Sequence, residues 1–414
     1  MSQPSVGRGS VLTLLLLSSM TVMAGATISP TLPSIGKVFA DTPRSDLLVR
    51  LVLTLPALFT AIGAPIAGGI IDRFGRRPLL FGVIVLYALA GGSGLFARDL
   101  SELLIGRAGL GLAVGGILTT ATTLIADYFG GDERSKVLAW QSAFMGIGGV
   151  GFVTLGGFLT DVSWRAPFSV YLLALVYLPL VALFLPEPRR SGTGEQVDDG
   201  RESATGPDGS SEALTSSGAA ASSAMVPRRV LGLVYALGFL GMIVFFALPV
   251  QLPFHLQAID DVPATKVGLA LATMTAVAAC TSLAYPKLRA RLSFPAIFGV
   301  QFLLQGAGYL LLGSAPSYTG AFPGLVIAGA GAGLLVPNVQ LWTSRLAPAE
   351  LRGRVLGGLG LCLFLGQFLS PMVTQPLATS RGYGGMYGSL ASFLLAFSAL
   401  FILGSIVRKN RRPR

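Results

Sequence analysis

The chain has 414 residues, of which 52% are hydrophobic and only 12% are charged. Soluble domains carry about 25% charged residues, so a chain of this length has too few charges to cover water-soluble domains. The composition therefore excludes an ordinary soluble enzyme and indicates a protein whose solvent is lipid. The 54 glycines agree with this, because small residues let membrane helices approach closely.

Few side chains suited to catalysis or metal binding are present. The two cysteines, Cys280 and Cys362, lie in apolar runs, and His255 is the only histidine. Neither a disulfide framework nor a metal site is indicated, so we expect no cofactor. We also expect no enzymatic activity, because no catalytic constellation is recognisable.

Uncharged stretches of about 20 residues, long enough to cross a bilayer as helices, recur along the chain. The first begins near Val11, has no small-residue cleavage site before Lys37 and is followed by many similar stretches, so we interpret it as a helix rather than a signal peptide. We predict an all-α polytopic membrane protein. Its twelve transmembrane helices are expected at about 11–35, 47–71, 79–97, 103–126, 137–160, 167–185, 230–257, 265–286, 294–313, 319–344, 355–378 and 384–407.

Two sets of six helices are separated by a polar segment. Residues 189–229 are rich in Ser, Gly, Ala, Asp and Glu and cannot bury a core, which predicts a disordered cytoplasmic linker. The predicted domains are an N-terminal half (1–188), this linker (189–229), and a C-terminal half with a basic cytoplasmic tail (230–414).

Basic residues are distributed unevenly between the loops. With the N-terminus in the cytoplasm, 22 of the 30 Lys and Arg fall in cytoplasmic segments and 6 fall outside. The positive-inside rule then predicts a multi-pass inner-membrane protein with both termini cytoplasmic. The net charge of +11 would face anionic lipid headgroups, and its dispersal among hydrophobic spans argues against nucleic-acid binding.

The two halves repeat each other at a shift of about 218 residues. Residues 134–138 (RSKVL) fall on 352–356 (RGRVL), and Gly111 falls on Gly329. A parallel repeat of this kind predicts a central cavity between the halves, near the middle of the membrane.

The most specific motif lies between the second and third predicted helices. It resembles the signature loop of the major facilitator superfamily, Gly-x-x-x-Asp-Arg/Lys-x-Gly-Arg-Arg, at every defining position. The resemblance implies a monomeric transporter in the lipid bilayer that binds a small-molecule substrate, with protons as a candidate coupling ion. The matching residues are Gly68, Asp72, Arg73, Gly75, Arg76 and Arg77.

The same resemblance implies a conformational latch at the cytoplasmic face. Asp127, at the end of the fourth helix, would join Asp72 and an arginine of the loop in an ion cluster that stabilises the outward-open state. Gly68 would allow close packing of a neighbouring helix, which we expect to be the eleventh. The alternative is that the arginines are ordinary positive-inside residues and Asp127 a solvated helix end.

Two arginines lie inside predicted spans. Arg107 matches an arginine that the family associates with coupling or gating, although it is close enough to the outer end to extend to the headgroups instead. Arg50 is closer still to the outside, and we expect it to extend to the headgroups. The glycine-rich fifth helix has Phe152 and Val153 where the family's exporters carry Gly-Pro, which weakens an antiporter assignment.

Helices 1, 4, 7 and 10 are expected to line the central cavity. No acidic residue lies at mid-membrane, so we expect a neutral or amphipathic substrate and identify no clear proton carrier. The alternative is that the polar candidates only bond neighbouring helices. The candidate cavity residues are Met20, Met23, Thr119, Thr120, Thr123, Gln251, His255, Asn338 and Gln340.

Three functions are compatible with these observations. The leading one is secondary active export of small neutral or amphipathic organic molecules by alternating access, because residues 29–33 (SPTLP) resemble the drug and metabolite exporter branch. The second is an uptake symporter or facilitative uniporter for a neutral metabolite. The third is a non-transporting membrane receptor or scaffold, which predicts a structured soluble appendage.

Overall fold

The computed structural model describes residues 7–187, 228–348 and 351–410. The predicted linker, 189–229, lies almost wholly outside the described residues, as does the end of the basic tail. Every regular element in the described ranges is a helix. The helices are α1 (Arg8–Val38), α2 (Ser45–Phe74), α3 (Arg76–Leu95), α4 (Leu100–Tyr128), α5 (Gly131–Val162), α6 (Ala166–Phe184), α7 (Arg228–Asp260), α8 (Ala264–Arg291), α9 (Phe294–Gly313), α10 (Thr319–Leu346), α11 (352–381) and α12 (383–410).

The last two helices follow each other without a loop. The segment Arg352–Asn410 is hydrogen-bonded as one 59-residue helix, but Gly382 breaks it with φ 70° and ψ 171°. A straight helix of that length would be about three times longer than the bilayer core is thick. Gly382 therefore turns the chain back, and the predicted fold of twelve helices is confirmed.

Local sequence explains several helix ends. Asp99 precedes α4 and its carboxylate accepts a hydrogen bond from the Glu102 backbone N–H at 2.8 Å. Gly75 ends α2 at φ 96°, a backbone conformation that disfavours residues with a side chain. Inside α1, a short 3₁₀ turn at Ser29–Thr31 precedes Pro33 and interrupts the regular helix.

Two hydrophobic cores hold the helices together. One is built almost entirely from α1–α6 and the other almost entirely from α7–α12. The two halves meet mainly where α5 packs on α8 and where α2 packs on α11. We call the face that carries the loop between α2 and α3 the basic face, and the opposite one, which carries the loop between α1 and α2, the far face.

Candidate transport pathway

A cavity of about 570 Å³ lies between the halves and is walled by α5, α8 and α10, with Val22 of α1 and Phe245 of α7. No acidic or basic side chain lines it. An apolar wall with a few polar groups suits a neutral or amphipathic molecule. The polar lining residues are Ser142, Thr275, Ser282 and the thiol-bearing Cys280.

The two methionines predicted for the cavity lie elsewhere. Met20 and Met23 are 0% and 1% exposed and belong to the core of the N-terminal half. Val22 lines the cavity instead. Successive residues are rotated by about 100° around a helix, so a shift of one position along α1 exchanges core for cavity.

The three predicted threonines of α4 use their hydroxyls within or between helices. Thr120 and Thr123 donate to carbonyl oxygens of their own helix, at 2.7 and 2.9 Å. Thr119 lies 3.5 Å from the carbonyl oxygen of Ala64 in α2. These contacts fit the alternative interpretation, in which the hydroxyls bond helices rather than substrate.

The two predicted residues of α10 differ from each other. Asn338 is fully buried, accepts a hydrogen bond from Tyr285 of α8 at 3.1 Å and donates to the carbonyl of Phe294 at 3.2 Å. It joins three helices of the C-terminal half and does not line the cavity. Gln340 is exposed and lies one turn beyond the cavity residue Val336, towards the basic face.

The far face is closed by contacts centred on Arg50 of α2. Its Nε donates to Gln251 of α7 at 2.8 Å, its Nη2 lies 3.2 Å from the hydroxyl of Tyr383 of α12, and its guanidinium stacks 4.0 Å from the ring centre of Phe254. The side chain is 1% exposed. The expectation that Arg50 extends to the headgroups is wrong, because its partners in the opposite half satisfy a planar, five-donor group better than one headgroup contact.

The two predicted cavity residues of α7 lie at the closed far face. Gln251 takes part in the closure, and His255 lies beside it. Gln251 is fully buried and also donates to Thr374 of α11 at 2.9 Å. His255 is 5% exposed and points between α9 and α12, with Nε2 3.0 Å from the carbonyl of Leu312. Neither lines the 570 Å³ cavity.

A second contact closes the far face between α5 and α8. The carboxylate of Asp161, at the end of α5, accepts from the backbone N–H groups of Ala264 and Thr265 at 2.8 and 3.0 Å, and from the Thr265 hydroxyl at 2.5 Å. It thereby caps the first turn of α8 across the boundary between the halves, where a negative charge is favoured. Sequence reasoning missed this role, because an acid at a helix end has no distinctive spacing.

Eight polar contacts between described residues join the halves, and they lie in the far-face half of the spans or near their middle. Towards the basic face, a Cβ atom built on Gly68 would meet nothing within 4 Å. The close packing predicted between Gly68 and α11 is therefore absent in this conformation. The protein is closed at the far face and open at the basic face.

The signature loop is held by its own half. Arg76 Nε lies 3.1 Å from Asp127 Oδ2, and the carboxylate of Glu187, just after α6, accepts from the backbone N–H groups of Arg76 and Arg77, both at 2.7 Å. Gly75 has a φ of 96°, which favours glycine, and a Cβ there would also lie 2.6 Å from Glu187 Oε1. Glu187 is a member of the cluster that sequence reasoning missed.

The remaining members of the predicted latch are dispersed. The Arg77 guanidinium donates to the carbonyl of Ala182 at 2.5 Å, and Arg73 lies beside the ring of Phe74. Asp72 is exposed, and its carboxylate bonds to no described residue. The structure thus brings Arg76 and Asp127 together with the basic face open, and leaves Asp72 apart.

Arg107 of α4 is enclosed by the N-terminal half. It is 0% exposed, with Nη1 3.0 Å from the hydroxyl of Tyr171 and Nη2 3.1 Å from the carbonyl of Gly91. No carboxylate of the described chain pairs with it, and its Nε is buried without a partner. It does not extend to the headgroups, so that alternative is excluded for this conformation. Tyr171 in turn donates to the carbonyl of Ala24 in α1 at 2.9 Å, which links Arg107 to that helix.

Comparison with known proteins agrees with this architecture. The tetracycline resistance protein class G of Vibrio anguillarum is 27% identical over 397 residues, covering 91% of this chain and 93% of that protein. The niacin transporter NiaP of Acinetobacter baylyi is 28% identical over 137 residues, and this match spans only 33% of the chain and 31% of that transporter. The xylose transporter XylE of Escherichia coli, solved in an inward-open conformation, has the same fold, with a TM-score of 0.74 at 16% identity over 95% of each chain.

The match to the family covers most of the chain. Residues 14–371 match the Major Facilitator Superfamily. The signature loop and the helices from α2 to α10 lie within this match. The chain belongs to the Major Facilitator Superfamily and is a multi-pass membrane transporter.

Proposed function

We propose that this protein exports small neutral or amphipathic organic molecules by alternating access, as a secondary active transporter. The observation that carries the proposal is the cavity of about 570 Å³ between the halves, which no acidic or basic side chain lines. A charged substrate would lack a counter-charge there, and burying an unpaired charge is costly. The similarity to a tetracycline resistance protein over nearly the whole chain supports export.

The positive-inside rule orients the protein. Arg73, Arg76, Arg289 and Arg345 belong to the basic face, which this rule places in the cytoplasm, with both termini on the same side. The conformation described above is then inward-open, ready to take substrate from the cytoplasm or from the inner leaflet. We propose the cell inner membrane as its location and a monomer as its functional unit.

Uptake or facilitated diffusion of a neutral metabolite is the second candidate. It is favoured by the absence of an acidic side chain from the cavity wall, because proton coupling often uses a buried carboxylate. α5 has Phe152 and Val153 where the family's exporters carry Gly-Pro, and this also favours uptake or facilitated diffusion over antiport.

Transport in inside-out membrane vesicles separates these candidates. Tetracycline, nicotinate and xylose serve as radiolabelled probes of an amphipathic, an anionic and a sugar substrate, with and without an imposed pH gradient. Export predicts that tetracycline accumulates in energised vesicles and that nicotinate and xylose do not. Equilibration of xylose or another neutral probe without any response to the gradient would support the second candidate, and movement of no probe would contradict the choice of substrate class.

A pair of substitutions at one position tests the role of the cavity. Val336 of α10 lines the wall; Val336→Asp introduces a charge, whereas Val336→Thr keeps the shape of the side chain and replaces one methyl group with a hydroxyl. We expect Val336→Asp to lower tetracycline transport at least tenfold, because an apolar ligand must then desolvate a carboxylate. Val336→Thr should retain most of the transport rate. Equal rates in both variants would show that this cavity is not the substrate site.

A further inference from the structure

His255, the only imidazole of the chain, lies beside the far-face closure. Its Nε2 is 3.0 Å from the carbonyl oxygen of Leu312 in α9. A carbonyl only accepts hydrogen bonds, so Nε2 carries the hydrogen of the neutral ring. Nδ1 bonds to no described residue and is the nitrogen that can take up a proton.

Aromatic rings surround this imidazole. The ring centres of Tyr383 and Tyr387 in α12 lie 5.9 and 5.3 Å from that of His255. Aromatic rings within about 6 Å stabilise a cation. The hydroxyl of Tyr387 is buried without a partner, so a polar group is available beside the ring to hydrogen-bond a water molecule or a newly protonated nitrogen. The site can therefore hold an imidazolium without a carboxylate.

No carboxylate of a described residue contacts the ring, and Arg50 reaches it only through Tyr383. Asp260, at the end of α7, accepts from the backbone of Tyr318, and Asp261 pairs with Lys37 of α1. The titratable and charged groups at the far-face ends of the elements packed around His255 are Arg50 and Asp46 of α2, Lys37 of α1, Asp260 of α7 and Asp261 after it, Lys266 of α8, Tyr309 of α9, Tyr318 before α10, Arg381 of α11, and Tyr383 and Tyr387 of α12.

Arg50 connects His255 to the state of the far face. The Tyr383 hydroxyl is bound to Arg50 while the ring of Tyr383 contacts His255. Gln251, one turn from His255 on α7, binds the same guanidinium. With the far face closed, the buried Arg50 guanidinium already occupies this junction, and its only carboxylate partner among the described residues is the exposed Asp46, 3.8 Å away. A second cation on the imidazole is therefore opposed by repulsion. Opening the far face must separate α2 from α7 and α12, which removes Arg50 from both contacts.

We propose that His255 is the proton-binding residue that couples this transporter to a pH gradient. The imidazole is neutral while Arg50 holds the far face closed. When the far face opens, Nδ1 takes one proton from a hydronium ion of the far-face water to form an imidazolium. When Arg50 comes back and the far face is closed, the imidazolium releases that proton to water on the basic face, so one proton crosses the membrane in each cycle. A ligand that binds one conformation more tightly shifts the population towards it, so acidification favours the far-face-open state. The proposal rests on the proposed function only in taking the protein to be an alternating-access transporter.

The test measures conformation and needs no substrate. Spin labels are attached to Asp41→Cys, between α1 and α2, and Ser314→Cys, after α9, both exposed at the far face of opposite halves. Cys280 and Cys362 are replaced by alanine in this background. Distance distributions are recorded by pulsed EPR in lipid nanodiscs between pH 8 and pH 5.5. We expect the ratio of long to short distances to rise about tenfold. This corresponds to a difference of one unit between the pKa of His255 in the two states.

Three variants determine the outcome. His255→Gln should give the wild-type distance at pH 8, which shows correct folding, and should lose the pH response. Asp260→Asn, which removes a nearby acid, should keep the response. Arg50→Gln should open the far face already at pH 8 and reduce the further change on acidification.

An unchanged pH response in His255→Gln would overturn the proposal, as would loss of the response in Asp260→Asn alone. Failure to transport any tested probe would instead contradict only the proposed function.

Discussion

At the scale of single residues, Asp161 shows how one side chain can hold two halves of a transporter together. Its carboxylate fills the first turn of α8 and meets three donors that have no other partner in that turn. Because the donors are on one half and the acceptor on the other, this contact cannot survive opening of the far face. It stabilises one state of the cycle and not the other, which is the requirement for a gate.

Removing this acceptor should open the far face. We expect Asp161→Ala to increase the long-distance population of the Asp41–Ser314 label pair by up to about tenfold, a limit set by competition from water at this exposed position. Asp161→Asn keeps one acceptor oxygen and should fall between the wild type and Asp161→Ala. Thr265→Val, which removes only the hydroxyl, should have the smallest effect. A reversed order of these three variants would show that the carboxylate does not close the gate.

At the scale of helices, small residues set how closely α5 approaches α8. A Cβ on Gly157 would lie 2.5 Å from the carbonyl oxygen of Ala264, a backbone atom that cannot rotate away. Gly151 lies on the same helix, and a Cβ there would meet nothing within 4 Å. The glycines of α5 are therefore not equivalent, although they look alike in the sequence.

This difference provides a matched pair of substitutions. We expect Gly157→Ala to prevent full closure of the far face, because the two backbones must move apart to admit the methyl group. Export of tetracycline should slow and the Asp41–Ser314 distance should lengthen. Gly151→Ala should match the wild type in both measurements, since both variants have the same gain in helix propensity. Similar behaviour of the two variants would refute a role for close α5–α8 packing.

At the scale of the whole molecule, the contacts between the halves are concentrated at one end. The far face is sealed by polar contacts around Arg50 and Asp161, whereas a Cβ built on Gly68, towards the basic face, would meet nothing within 4 Å. The Arg76–Asp127 pair is present in this open conformation, so it is not restricted to the state in which the basic face is closed. Asp72 is the acid of the predicted latch that bonds to no other described residue here and can gain a partner on closure.

The latch hypothesis can now be tested with Asp72 alone. Asp72→Asn breaks no bond to a described residue in this conformation. Its effect on the conformational equilibrium should therefore come from the state in which the basic face is closed. We expect a longer mean distance between labels at Ser135→Cys and Gly353→Cys on the basic face, and slower transport. Glu133→Gln, an exposed acid on the same face, is the control and should leave both unchanged. A wild-type distance in Asp72→Asn would mean that Asp72 only shapes the loop.

The sequence by itself determined the number of spans, the division into like halves and the signature loop. Hydrophobic length and loop charge are properties of continuous segments, and they need no knowledge of which helices touch. The uncharged stretches also predict separate helices at 355–378 and 384–407, and Gly382 breaks the chain between them.

Only the tertiary structure decided which face of each helix meets the cavity and which residues close the far end. A helix that is apolar all round has no amphipathic stripe to indicate its rotation, so Met20 and Met23 were predicted for a wall that Val22 occupies. Arg50 and Gln251 are 201 residues apart, and neither has a local signal that identifies the other as its partner. The far-face closure is formed by contacts between the surfaces of the two halves. Such contacts arise only when both halves have folded and packed against each other.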